Sequence, residues 1–179
     1  MTQLETNRLL LQSLQLSDAA RIEELASDVD VAKTTATIPH PYPKDSAGMF
    51  IEKMLEDEKK GDIAIFAVKL KESNELIGVI NLKISKDHQR AELGYWIGKA
   101  YWNQGFGTEA TKKLVTYGFD RLNLNKIMAA AFVHNPGSWR IMEKSGLCHE
   151  GTFKQHVIRD GNPIDVHFYG VTKDDYKAS

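Results

Sequence analysis

Residues 91–110 of the chain read AELGYWIGKAYWNQGFGTEA, and this stretch decides the fold. Its first seven residues are apolar or aromatic apart from Glu92, which predicts a strand. A small polar loop containing Gly105 and Gly107 follows, and Thr108 suits the first turn of a helix. Closely spaced glycines let a backbone approach a ligand, and a helix N-terminus offers unpaired N–H donors. The stretch therefore predicts a site for a phosphate or a pyrophosphate.

Two familiar phosphate-binding patterns fit this loop poorly. The run from Gly105 to Ala110 matches the G-x-G-x-x-A form of a dinucleotide fingerprint. A Rossmann site also needs an acidic residue at the end of the next strand. That strand, predicted at 126–133, is followed by His134-Asn135-Pro136 instead. A P-loop is excluded because no Lys-Ser or Lys-Thr pair follows the glycines at the required spacing.

A second motif, NPGSWRIMEKSGL, occupies residues 135–147. Together with the loop, it resembles the GCN5-related N-acetyltransferases, and most of all the RimJ/RimL-like branch that acetylates the N-termini of ribosomal proteins. That family's loop is usually Q/R-x-x-G-x-G/A, and its backbone N–H groups hold the pyrophosphate of coenzyme A. Both glycines match, whereas Trp102 stands at the Gln/Arg position. The resemblance implies that acetyl-CoA is bound by Trp96, Ile97, Trp102, Asn103, Gln104, Gly105, Phe106, Gly107, Thr108, Asn135 and Ser138.

Length and composition favour one domain spanning residues 1–179. The net charge of -1 argues against a general nucleic-acid binder. The single cysteine, Cys148, suits a reducing compartment, and the histidines show no metal-ligand spacing. The N-terminus lacks signal-peptide features, and no apolar run approaches the length of a membrane span. We expect a cytoplasmic protein that binds no metal and contacts neither nucleic acid nor a membrane. We expect it to be a monomer or a homodimer.

Hydrophobic periodicity predicts an α/β (α+β) fold. Three antiparallel strands at 63–70, 76–84 and 91–97 form a meander. The helix predicted at 108–122 then returns to a strand at 126–133, as a right-handed parallel crossover. Further strands are predicted at 8–14, 147–158 and 164–171. Further helices are predicted after Ser17-Asp18, from Asp45 or Ser46, and at 138–144. We expect a mixed, mostly antiparallel sheet with this β-α-β crossover at its centre and helices on both faces. The resemblance implies the acyl-CoA N-acyltransferase fold.

The resemblance also implies that the two parallel strands part and admit the pantetheine arm of the cofactor between them. Two glycines near the central strand, Gly94 and Gly98, are consistent with a bulge or with close approach of a ligand. The alternative is that they only make room for packed aromatic side chains.

Two residues are candidates for catalysis of acetyl transfer, Ser138 and Glu92. On its own, Asn135-Pro136-Gly137-Ser138 favours helix capping. The resemblance implies that Asn135 bonds the cofactor arm and that Ser138 lies near the thioester sulfur. Many relatives place a tyrosine four residues later as the thiolate acid, and here that position is Met142. Ser138 or a water is then left to protonate the thiolate, for which a weak acid suffices because a thiol has a pKa of about 8.5.

Glu92 is a carboxylate in an otherwise apolar strand, and a buried carboxylate needs a partner. One interpretation makes it the general base acting on the acceptor ammonium, directly or through water. The other is a structural ion pair with Arg90 or Arg140. His134 is a second candidate base, because imidazole titrates near neutral pH.

The acceptor is expected to be a primary amine of low pKa. An α-amine, with a pKa of about 8, is roughly a tenth neutral at pH 7, whereas a lysine amine is neutral only a few times in ten thousand. We expect a protein N-terminus, with a small amine such as a polyamine, amino acid or amine antibiotic as the alternative. A non-catalytic module that binds acyl-CoA is a further alternative. The first-helix region, the proline-rich connection at 38–43 and the final hairpin around Gly161 should form the acceptor site, with His40, Tyr42 and Trp96 as candidates for its lining.

Overall fold

A computed structural model describes residues 2–178 of the chain. Eight strands and six helices follow one another along it. The strands are β1 (Gln3–Glu5), β2 (Leu9–Gln12), β3 (Ile63–Leu70), β4 (Leu76–Ser85), β5 (Arg90–Ile97), β6 (Lys126–Phe132), β7 (Cys148–Arg159) and β8 (Asn162–Thr172). The helices are α1 (Ala19–Ala26), α2 (Val29–Lys33), α3 (Ser46–Lys60), α4 (Phe106–Asp120), α5 (Pro136–Lys144) and α6 (Lys173–Ala178).

The strands form one sheet in the order β1-β2-β3-β4-β5-β6-β8-β7. All neighbours are antiparallel except β5 and β6, which are parallel and are joined through α4. The predicted mixed, mostly antiparallel sheet with a central parallel crossover is therefore confirmed. A parallel pair needs a crossover connection, and the long apolar stripe of α4 covers the sheet between its two strands.

The parallel strands β5 and β6 part half-way along their length. Their pairing runs from Arg90–Lys126 to Leu93–Ala129 and ends there. Beyond that point β5 stays paired to β4 as far as Ile97, and β6 stays paired to β8 as far as Phe132. The sheet thus opens between its two halves at the C-terminal ends of the parallel strands, as the resemblance implies.

Helices pack against both faces of the sheet. On one face, Ala110, Leu114 and Phe119 of α4 join Leu82 and Leu93 in the largest buried cluster. On the other face, α1 and α3 cover β3 and β4 through a second cluster, whose members include Ile22, Ile51, Ile65 and Val79. None of the helices within residues 2–178 is long and apolar enough to cross a membrane.

Several element boundaries differ from the sequence-based expectation. Helix α4 begins at Phe106, two residues early, because Gly105 adopts a left-handed conformation at its N-cap. Helix α5 begins at Pro136. Proline is tolerated there because the N–H that it lacks has no partner in the first turn of a helix. The short elements β1, α2 and α6 were not predicted from the sequence, because segments of three to six residues carry too little periodicity.

The glycines of the central strand make room for packing. A Cβ atom on Gly98 would lie 2.8 Å from Leu25 Cδ2, and one on Gly94 would lie 3.1 Å from the Asn81 side chain. The β4–β5 register is continuous from Gly78–Ile97 to Ser85–Arg90. The β4–β5 pairing thus shows no bulge at Gly94 within the described residues, and close approach of a ligand at Gly94 and Gly98 stays a prediction.

Candidate active site

The loop between β5 and α4 presents backbone amides at the start of a helix. Trp102 begins it, and its indole N–H donates to the Ile97 carbonyl at 2.6 Å. Gly105 has a φ of 82°, and its carbonyl accepts the first helical bond, from the Glu109 N–H at 3.0 Å. The amides of residues 106–108 precede that bond and have no acceptor within the helix. They sit at the positive end of the α4 dipole, which favours an anion.

Thr6 and Arg8, in the turn between β1 and β2, hold this loop in place as a clamp. The Arg8 guanidinium donates to the Gln104 carbonyl at 3.0 Å and to Glu109 Oε2 at 2.8 Å, and it lies over the Phe106 ring. Glu109 Oε1 also accepts from the Thr6 hydroxyl at 2.6 Å and the Arg8 N–H at 2.8 Å. Burial raises the pKa of Glu109, but these hydrogen bonds outweigh it and hold the pKa below its usual value. The carboxylate is thereby fixed against Arg8 at the helix start.

A cleft of about 470 Å³ lies beside this loop. It is bounded by the C-terminal half of β5, the loop, the first turns of α5 and the end of α2. Its lining comprises Thr34, Tyr95, Trp96, Ile97, Tyr101, Trp102, Asn103, Gly105, Phe106, Gly107, Thr108, Asn135, Gly137, Ser138, Arg140, Ile141 and Lys144. The cleft therefore reaches from the unpaired part of β5 to the helix N-terminus.

The charge in the lining of the cleft is positive. Arg140 and Lys144 on α5 are the charged side chains among the described lining residues. The Arg140 guanidinium lies 5.3 Å from the centre of the Trp139 ring. Two cations added to the α4 N-terminus suit a ligand that carries several phosphate charges.

Ser138 is linked across the gap between β5 and α5. The Tyr95 hydroxyl lies 2.8 Å from the Ser138 carbonyl oxygen and 3.0 Å from Ser138 Oγ. Burial of the Tyr95 hydroxyl raises its pKa well above the usual value, and the hydrogen bond to Ser138 only partly offsets this. Tyr95 is therefore a neutral hydroxyl at any physiological pH.

Asn135 joins the start of α5 to the end of α2. Its side-chain oxygen accepts from the Ser138 N–H at 3.2 Å, which caps the helix as the sequence alone favours. Its amide group donates to the Thr34 carbonyl at 3.3 Å. The cap thus also holds the α2 segment over the cleft.

The chain is similar to known proteins in sequence and in structure. A family model described as an acetyltransferase (GNAT) domain matches residues 8–147. The chain belongs to the GNAT family. It is an N-acetyltransferase that uses acetyl-CoA, which is the polyanionic donor that a positive cleft beside a helix N-terminus fits.

Relatives and a solved structure agree with the assignment to the GNAT family. The chain is 32% identical over 178 residues to the uncharacterized N-acetyltransferase p20 of Bacillus licheniformis, covering 98% of this chain and 99% of that protein. It is 30% identical over 97 residues to the ribosomal-protein-serine acetyltransferase of Escherichia coli, about half of each chain. The crystal structure of a GNAT acetyltransferase from Bacillus anthracis superposes with a TM-score of 0.87 at 26% identity, covering 97% and 99% of the two chains.

Glu92 does not lie where a buried base would. It is exposed, and it stands outside the residues that line the cleft of this GNAT chain. Its neighbours on the adjacent strands are Lys83 and Met128, and among the described residues it forms no ion pair with Arg90 or Arg140. The premise of a buried carboxylate was wrong because Ala91 and Leu93 face the α4 cluster, whereas Glu92 points to the opposite face of the sheet.

Of the three residues predicted to line the acceptor site, only Trp96 lines the cleft. Trp96 also packs against a small buried cluster that consists of Ala26, Val31, Ala32 and Ile38. Tyr42 is half-buried and packs against the same cluster, but it is not part of the cleft lining, and His40 is exposed. Gln104 likewise turns away from the cleft, and its side chain donates to the Ala100 carbonyl at 2.9 Å.

A second cavity of about 420 Å³ adjoins the cleft, with which it shares Thr34, Trp102 and Asn135. His134 lines it and stacks on Phe132 at 5.6 Å. Arg159 closes it from the β7–β8 hairpin, where its guanidinium donates to the carbonyls of Ala32, Ala36 and Ile38. The final hairpin thus reaches Ile38, at the start of the connection that was expected to form part of the acceptor site.

Sequence reasoning missed Tyr95, Arg140 and Lys144. Strict strand alternation places Tyr95 on the opposite face from Glu92, facing α4 and α5, and this signal was available. Arg140 and Lys144 are four residues apart on α5 and so share one face, which is also visible in the sequence. What the sequence could not show is that this face turns toward the parted strands.

Proposed function

We propose that this N-acetyltransferase transfers the acetyl group to the α-amine of a protein N-terminus, by direct attack while donor and acceptor are both bound. The observation that carries this is the chemistry of the cleft lining. Among the described residues it includes hydroxyls, amides, two cations and no carboxylate or imidazole. His134, Asp30 and Asp160 line the adjoining cavity and not this cleft. A cleft without a base of its own favours an α-amine, with a pKa of about 8, over a lysine-like amine with a pKa of about 10.4.

In this proposal the protein binds acetyl-CoA by its phosphates, and the thioester end lies in the gap between β5 and β6. The amides of residues 106–108 face the diphosphate, and Arg140 and Lys144 neutralise its charge. Beyond Leu93, the edge of β5 has no β6 partner, so its N–H and C=O groups can bond the pantetheine arm, apart from the Ile97 carbonyl, which accepts from the Trp102 indole. We assign Trp96, Ile97, Trp102, Asn103, Gly105, Phe106, Gly107, Thr108, Asn135 and Ser138 to donor binding, and we no longer include Gln104.

The reaction balances without a strong base on the protein. The neutral amine forms the C–N bond, the C–S bond breaks, and the electron pair leaves with sulfur. The nitrogen loses one proton and the thiolate gains one, so the residues need only relay it. We assign to Ser138, which lies at the start of α5 and lines the cleft, the stabilisation of the leaving thiolate. Holding both reactants in line supplies much of the remaining acceleration.

A thiol-release assay with acetyl-CoA tests the acceptor. The panel contains a short peptide with a free N-terminal serine and the same peptide blocked at its N-terminus but carrying an internal lysine. It also contains spermidine and an aminoglycoside. We expect turnover with the free peptide, none with the blocked one, and kcat/KM rising with pH up to about 8. A kcat/KM for spermidine or the aminoglycoside tenfold above that of the free peptide would refute the proposal.

A further inference from the structure

Tyr95 crosses the gap where the sheet opens. It lies two residues beyond Leu93, the last residue of β5 that pairs with β6. Its hydroxyl meets both the carbonyl and the hydroxyl of Ser138, a residue 43 positions further along the chain. No backbone ladder joins β5 to the neighbouring half of the sheet at this level, so these two contacts tie the strand to α5.

The two hydroxyls have two protons for three acceptor positions. When Tyr95 donates to the Ser138 carbonyl, Ser138 Oγ–H can donate to Tyr95 Oη. When an anion stands beside Ser138, Oγ–H can turn to it while Tyr95 donates to Ser138 Oγ instead. A hydroxyl that accepts a hydrogen bond becomes a stronger donor, because bonds in a chain polarise one another.

We propose that Tyr95 is a positioning residue that orients Ser138 Oγ–H toward the departing thiolate and strengthens the hydrogen bond it donates. The inference rests on the proposed function, since it concerns the thiolate that acetyl transfer releases. Tyr95 itself gives up no proton and stays neutral throughout the reaction. The C–S bond breaks, its electron pair goes to sulfur, and the hydroxyl pair stabilises that charge by rearranging two hydrogen bonds.

The alternative role of Tyr95 as the acid is excluded by energetics. Burial raises the pKa of its hydroxyl far above that of a thiol, at about 8.5. Proton transfer from Tyr95 to the thiolate would therefore run uphill and leave a buried phenolate without a cation among its contacts. The same burial suits the positioning role, because it keeps the hydroxyl protonated and able to donate.

The first measurement uses coenzyme A alone and needs no acceptor. The ultraviolet absorbance of its thiolate is titrated with pH in complex with the wild-type protein and with Tyr95→Phe. We expect the bound thiol to be more acidic than free coenzyme A in the wild type. The Tyr95→Phe variant should hold about 3- to 10-fold less thiolate at the same pH. Equal thiolate fractions in the two proteins would overturn the inference.

The second measurement is a double-mutant cycle in the thiol-release assay. Ser138→Ala should lower kcat about 10- to 100-fold, and Tyr95→Phe about 3- to 10-fold, with KM for acetyl-CoA changed less than twofold. In the Ser138→Ala background, Tyr95→Phe should have almost no further effect, because it acts through the serine hydroxyl. Equal fold-losses in both backgrounds would show that Tyr95 does not act through Ser138.

A matched control separates positioning from general stability. Tyr169 is also buried, burial likewise raises its pKa, and its hydroxyl donates to Glu143 at 3.2 Å outside the cleft. Tyr169→Phe should lower the melting temperature without changing kcat or the thiolate fraction. If wild-type protein failed to bind coenzyme A, the proposed function would fail. A normal wild type with an unchanged Tyr95→Phe variant would refute only the role of Tyr95.

Discussion

The donor side and the proposed acceptor side of this enzyme are built in different ways. Except for Thr34, the cleft lining comes from residues 95–144, a single span containing the end of β5, the glycine loop and the start of α5. The acceptor side joins segments more than 120 residues apart, such as Ala32 and Ile38 with Arg159. Within that span, local turns and a helix N-terminus fix the geometry of the glycine loop, whereas the long-range junction depends on how distant loops meet.

This difference explains why the donor could be recognised and the acceptor could not. A phosphate site made of backbone amides needs glycines at fixed spacing, and that spacing is visible in the sequence. An acceptor site made from a connection and a hairpin has no such spacing. Variants on each side should therefore separate donor affinity from acceptor affinity.

The largest effect is expected from Gly105→Val. Gly105 has a φ of 82° at the N-cap of α4, where a β-branched residue is strained, and its Cβ would lie 3.4 Å from the Arg8 guanidinium. The loop would have to change shape, and we expect acetyl-CoA affinity to fall more than about 100-fold by calorimetry. Gly161→Val is the matched control, since Gly161 has a φ of 77° in the hairpin with open space around it. Loss of acetyl-CoA binding in both variants would mean that backbone strain at any glycine abolishes binding, and it would contradict a specific role for the loop.

A change on the acceptor side should leave the donor side intact. Arg159→Met removes the donors to three carbonyls of the 32–38 segment, which should loosen it. We expect KM for the acceptor peptide to rise about tenfold, with acetyl-CoA affinity within twofold of the wild type. Lys154→Met, at an exposed position of the same strand, should change neither value. A parallel loss of acetyl-CoA affinity in Arg159→Met would contradict the separation of the two sides.

Loosening the clamp on the glycine loop should weaken donor binding moderately. Arg8→Met removes the guanidinium that bonds the Gln104 carbonyl and Glu109. Because 47% of the Arg8 side chain is exposed, we expect acetyl-CoA affinity to fall only about 3- to 10-fold. Lys71→Met breaks a different ion pair, with Glu5, and serves as the control. Unchanged affinity in Arg8→Met would mean that the loop holds its shape unaided.

The smallest effect is a pH dependence of stability. The pKa of Glu109 is lower in the folded protein than its ordinary 4.5, so its contribution is present above that pH and is lost as the pH falls. Thermal melting curves should be recorded at decreasing pH. The melting temperature of the wild type should fall faster than that of Glu109→Gln, which is less stable at neutral pH and has no carboxylate to protonate. Glu24→Gln, at a largely exposed position, should follow the wild type. If the melting temperatures of wild type and Glu109→Gln fell in parallel, the lowered pKa of Glu109 in the folded protein would be contradicted.

Much of the fold was visible in the sequence because its elements are long and regular. Strand β3 was predicted at Ile63–Leu70, as found, and the parallel crossover was predicted from two apolar strands flanking an amphipathic helix. The part of the candidate site that depends on local geometry followed, with Gly105 at the N-cap of α4 and Ser138 in the first turn of α5. Glu92 shows the limit, since its chemistry alone suggested a base while its exposure depends on where helix cover of the sheet ends.

By itself, the sequence determined the order of the longer strands and helices, the glycine loop at a helix start and the family to which the chain belongs. These follow from periodicity and spacing, which are properties of neighbouring residues. Only the tertiary structure decided that β5 and β6 part after Leu93, that Tyr95 meets Ser138 across the gap, and that Arg159 holds the α2 segment. Those contacts join residues 43 or more positions apart, and their geometry is set by the packing of the whole sheet rather than by any one stretch of chain.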